Sequence, residues 1–173
     1  MSVGLTLEEL LAWNDEAAKC WKSHLQKNPG LLEVQCDIAG TGTVQGFVRH
    51  VWGAELRWAQ RLAGLPVLGR DDATTGPLDA LFTMHRQAME VFRGLLNTPN
   101  QAWDEVYAIE SDPTLKGRVD WIAAELRNPS RRKLAAHTLF HSQRHWSQLS
   151  TLARQAGYPA PFRGDLLFSP ALR

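Results

Sequence analysis

The sequence predicts an all-α protein: a four-helix bundle with an irregular link at 101–127 and a C-terminal tail rich in Pro and Gly. Three observations carry this expectation. Four long stretches place apolar residues at three- and four-residue steps, the period of a helix with one buried face. Start and stop signals bound those stretches. The chain is also 44% hydrophobic with seven tryptophans, large side chains suited to filling the space between helices. No internal repeat, low-complexity tract or shift in composition divides the 173 residues, so a single domain over 1–173 is expected.

The first helix opens at Thr6-Leu7-Glu8-Glu9, a capping box in which Thr6 and Glu9 satisfy each other's backbone N–H groups. Leu7, Leu10, Leu11, Ala17, Trp21 and Leu25 form its stripe, and it ends near Asn28-Pro29-Gly30. A connection over Leu31 to Gly42 leads to a second helix, from about Thr43 to Ala63, closed by Gly64 and Pro66. Phe47, Val51, Ala54, Trp58 and Leu62 lie along it. The loop Gly69 to Gly76 precedes a third helix, opened by Pro77-Leu78-Asp79 and striped with Leu81, Met84, Ala88, Val91, Phe92, Leu95 and Leu96 as far as Thr98-Pro99-Asn100. Within the link, Trp103 to Ile109 alternates as a strand would, Ser111-Asp112-Pro113 signals a turn, and Arg118 to Arg127 suggests a short helix. The last helix is marked by Asn128 as its cap, Pro129 at its first position and Gly157 as its left-handed stop. Its stripe runs Leu134, Thr138, His141, His145, Leu149, Leu152.

Composition excludes several classes. A formal net charge of +1 with a single dense basic cluster, Arg131-Arg132-Lys133, argues against a nucleic-acid partner. No apolar run is long enough to span a membrane, and the first residues lack the pattern of a secretory leader. Two cysteines, Cys20 and Cys36, make no disulfide framework and fit reduced thiols in the cytoplasm. The Gly40-Thr41-Gly42 run precedes a helix without the lysine a phosphate loop requires.

The chemistry lies in the histidines. His141 and His145, four residues apart, stand one above the other on a helix and can converge on one ion. One helix seldom completes a metal site, and His50, among core-facing residues of the second helix, is the natural third ligand. Three neutral nitrogens leave a coordination position open, the pattern of a catalytic rather than a structural zinc-type site. Hydrogen-bonded core or surface histidines remain the alternative. His137 extends the row by one turn, where it can support a ligand or line a channel. His85 is expected at the surface or in a groove, and His24 at the surface in the last turn of the first helix.

Two segments resemble the DinB/YfiT-like superfamily of bacterial metal-binding four-helix bundles. The first is His50-Val-Trp-Gly-Ala-Glu55-Leu-Arg-Trp58-Ala-Gln-Arg61-Leu62. The second is His137-Thr-Leu-Phe-His141-Ser-Gln-Arg-His145-Trp-Ser-Gln148-Leu, followed by Leu-Ala-Arg-Gln-Ala-Gly157-Tyr-Pro159. The resemblance spans nearly the whole chain in helix order and length. It implies that His50, His141 and His145 hold a divalent metal, zinc or nickel, and that the protein is a homodimer. It further implies a thiol-dependent transferase or isomerase acting on a small molecule with a low-molecular-weight thiol. Members often carry His-Arg-Gly-Gln where this chain has His145-Trp146-Ser147-Gln148. That departure spares the ligands and bears on substrate contacts.

The expected function is therefore that of a divalent-metal enzyme activating a thiol or water nucleophile. The alternative is a non-catalytic metal-binding or stress-response module. His137 and Gln148 are the candidates for orienting a ligand or touching substrate. Arg61, three turns beyond His50, is the candidate for the substrate mouth, where it would favour an anionic substrate, while Arg57 and Arg144 are expected to be solvated or paired with acids such as Glu55.

Overall fold

A computed structural model describes residues 4–69, 76–115, 128–161 and 166–169. Four long helices dominate it: α1 (Leu7–Lys27), α2 (Val44–Ala63), α3 (Leu78–Leu96) and α4 (Arg131–Gln155). The all-α four-helix bundle is therefore the fold. The capping box at α1 is complete, with Thr6 N–H donating to Glu9 Oε2 at 2.7 Å and Glu9 N–H to Thr6 Oγ1 at 3.1 Å. Thr43 caps α2 by accepting from Gly46 N–H, and Gly64 ends that helix at φ 67°, a conformation glycine adopts without a Cβ clash. Before α2, the connection folds into a small antiparallel pair, β1 (Gln35–Cys36) with β2 (Gly42–Thr43), in which Gln35 faces Thr43.

The α4 boundary departs from expectation at its start. Asn128 and Pro129 do not open the helix; Ser130 is its cap and accepts from Lys133 N–H at 3.2 Å. Pro129 is held in an extended segment because its carbonyl accepts from Tyr107 N–H at 2.8 Å, next to a bridge between Val106 and Ser130. The alternation over Trp103 to Ile109 thus yields one bridge rather than a strand. At the other end, Gly157 takes φ 84° as expected. The suggested helix over Arg118 to Arg127 lies outside the described residues.

Helix α2 packs on both α3 and α4, and α1 closes the bundle against the same two helices. The buried apolar residues form one contiguous cluster. Its centre is aromatic: Trp146 of α4 stacks on Trp21 of α1 and meets Trp52 of α2 edge-on, with ring centroids 5.8 Å apart in both cases. Helix α3 adds Leu81, Met84, Ala88, Met89 and Phe92 to this core. The link is irregular over 101–115 but tied down. Arg131 and Arg132 donate backbone N–H groups to the carbonyls of Glu105 and Trp103, and Tyr107 Oη donates to Asp112 at 2.6 Å. Among the described residues, no helix is long and apolar enough to cross a membrane.

Candidate metal centre

The α4 stripe places His141 and His145 on the face that meets α2, and the α2 stripe places His50 opposite them. One ring nitrogen from each of His50, His141 and His145 can be chosen so that all three lie within 4.8 Å of one another. The tightest pair is Nε2 of His141 and Nε2 of His145, 3.0 Å apart. His50 closes the triangle, with ring centroids 5.6 Å from His141 and 5.2 Å from His145. Phe47, one turn before His50, forms the floor: it lies parallel to the His50 ring and meets His145 edge-on at 5.1 Å. The three histidines singled out in the sequence are thus brought together.

The surroundings favour the neutral form of the two α4 imidazoles. Burial, with help from the neighbouring imidazoles and Arg144, pushes His141 down to about 3. Burial likewise pulls His145 below the usual histidine range, against the opposing effect of its bond to Gln148, and Arg144 adds to the lowering. That bond matters in its own right. Gln148 Oε1 lies 2.6 Å from His145 Nδ1, so Nδ1 carries the proton and Nε2 presents its lone pair toward His141. A neutral imidazole with its outer nitrogen pinned and its inner nitrogen free to donate is the state a metal ion requires. His145 is the ring so held, and three imidazole nitrogens suit a divalent transition metal and would leave a coordination position open.

The remaining candidates are placed as follows. His137 sits one turn before His141 at the exposed edge of the row, its ring centroid 6.0 Å from that of His141, and burial lowers its pKa. Arg61 does not join the triad. Its side chain is 6% exposed, pairs with Asp112 Oδ2 at 3.1 Å, donates to Thr114 Oγ1 at 3.0 Å and covers Trp58. It stands about 16 Å along α2 from His50, and its charge serves the link. Arg57 is buried, its guanidinium folded back over Gly53, and Arg144 is exposed. Two clefts, of about 450 and 820 Å³, open elsewhere on the bundle, the first beside Asp15 and Arg93 and the second beside Trp103 and Phe140; no triad residue lines either.

Two expectations need correction. His24 is half-buried, edge-on to Trp21. His85 is fully buried, not at a surface or groove, because carboxylates from two other helices receive it: Nδ1 lies 2.7 Å from Glu55 Oε2 and Nε2 lies 3.2 Å from Asp15 Oδ1. Each nitrogen faces a carboxylate oxygen, so both carry protons and the ring is an imidazolium. Burial opposes that charge, but Glu55 and Asp15 outweigh it and raise the pKa to about 9. Spacing carried a usable signal. Leu81, His85, Ala88 and Phe92 form one stripe, so His85 occupies a core position.

Fold and site together define a class: a helical bundle whose facing helices bring three imidazoles within reach of a metal ion. The family model that matches the sequence, over residues 1–168, is the DinB family, and the chain belongs to that family. No curated protein matches it.

Proposed function

We propose that the chain is a metal-dependent enzyme in which His50, His141 and His145 hold one divalent ion, zinc or nickel. When bound, that ion supplies a Lewis acid able to favour the thiolate of a low-molecular-weight thiol or to lower the pKa of water. The reaction class is thiol-dependent transfer to a small-molecule electrophile. The single observation that supports this most is the convergence of three ring nitrogens within 4.8 Å around a pair whose proton is held on the far side by Gln148. Gln148 orients His145, and His137 stands at the edge where a substrate would enter. The homodimer that the resemblance implies, and cytoplasmic residence, go with this reading.

The test is elemental analysis of untagged protein, followed by thiol consumption with a panel of small electrophiles. About one equivalent of zinc or nickel and metal-dependent turnover are expected. Protein that neither retains nor regains a transition metal would overturn the assignment. The alternative is a metal-binding or stress-response module without turnover. One equivalent of metal with no turnover across the panel would support that module.

A further inference from the structure

The buried imidazolium belongs to a larger polar network to which every helix of the bundle contributes. Asn14 of α1 is fully buried and donates from Nδ2 to Glu55 Oε1 at 2.8 Å. Its Oδ1 accepts from Gln143 Nε2 of α4 at 3.3 Å. At the other end, Asp15 carries Lys19 and Arg93 at 2.9 and 2.7 Å near the surface. The direction of each bond is forced. Glu55 presents one oxygen to His85 and the other to Asn14, so the Asn14 amide must turn its NH₂ group toward Glu55 and its oxygen toward Gln143.

Asn14 therefore links the helix that carries His50 to the helix that carries His141 and His145. Gln143 lies midway between the two α4 histidines, about 3 Å along the axis from each and rotated about 160° from them. Its bond to Asn14 holds the ligand-bearing turn from behind. Apolar contacts between α2 and α4, such as Phe47 against His145 and Trp52 against Trp146, tolerate small slides of one helix along the other. The network does not, because a slide leaves a buried amide or carboxylate without its partner in a dry interior.

We propose that Asn14 and Gln143 are positioning residues for the metal centre: their hydrogen bonds through Glu55 hold α2 and α4 in the register that brings His50 to His141 and His145. The proposal rests on the metal reading above, and its test separates the two. Untagged protein is titrated with Co(II), and both affinity and visible absorption at saturation are recorded for the parent and for Gln143→Met, which keeps the volume and removes the donor. Expected is a loss of affinity of about tenfold or more, the scale of supporting interactions around metal ligands, and altered band intensities, with helicity before metal addition unchanged. Leu95→Ala, a core truncation on α3, should lower the melting temperature and leave both readouts unmoved. Asn14→Ser, which leaves room for water to replace the lost bonds, covers the case in which Gln143→Met does not fold. Parent affinity and spectrum in Gln143→Met would overturn the proposal, as would an equal loss in Leu95→Ala. A parent that binds no Co(II) would overturn the metal reading and this one with it.

Discussion

At the triad, three imidazoles from α2 and α4 face one another, and burial lowers the pKa of both α4 rings. In the inner network, a single imidazole from α3 is clamped between carboxylates from α1 and α2 and is charged. The same residue type thus sits in two opposite environments within one core. In the network the side-chain nitrogens of His85, Asn14 and Gln143 each meet an oxygen of the same chain, and two carboxylates face the imidazolium. In the triad one ring nitrogen from each histidine lies within 4.8 Å of the others, an arrangement suited to an external cation. The lesson is that burial alone does not mark a functional histidine; what faces the ring decides, carboxylates in one case and other imidazoles in the other.

Breaking the network should have the largest effect. Glu55→Ala leaves the His85 charge and the Asn14 donor unpaired in the interior, and stability should fall by about 3–5 kcal/mol, measured by urea denaturation. Titrating the network comes next. His85 has a folded pKa raised above its unfolded value of 6.5 to about 9, so its contribution is fully present below the unfolded value and is lost as pH rises through about 9. The facing groups are Glu55 and Asp15, with Lys19 and Arg93 beyond. Unfolding free energy should therefore drop by roughly 3 kcal/mol between about pH 6 and pH 10. A flat profile over that range would contradict the imidazolium.

The triad should respond to metal rather than to alkali. His50→Ala should weaken zinc or nickel binding by more than about 100-fold, with little loss of apo stability, because His50 is only partly buried. Gln148→Ala should cost about tenfold or more in metal affinity by releasing the His145 tautomer; unchanged affinity would make the contact incidental. Chelation should be the mildest perturbation, lowering the melting temperature while leaving the helices formed, since the aromatic core is complete without an ion. Outright unfolding on chelation would instead make the ion structural.

Much of this was legible in the sequence, and what was not has a physical cause. Capping residues and apolar periods located the four helices. His141 and His145 were readable because both lie on one helix, where spacing alone determines facing. His50 followed because its neighbours Phe47 and Val51 are core residues. The network was hidden because its bonds join residues 30 to 129 positions apart. Each member nevertheless breaks an apolar stripe: Asn14 between Leu10 and Ala17, Glu55 between Trp52 and Ala59, His85 between Leu81 and Ala88. A polar residue on a stripe tells of a partner without naming it. The start of α4 was misplaced for a similar reason, as Pro129 is held by Tyr107 across the link.

The central claim is that His50, His141 and His145 together hold one ion. X-ray absorption at the metal edge of protein loaded with one equivalent of zinc tests it most directly. Three imidazole nitrogens at about 2.0–2.1 Å, one of them lost in His50→Ala, are the predicted result; a shell of oxygen or sulfur without imidazole scattering would contradict it.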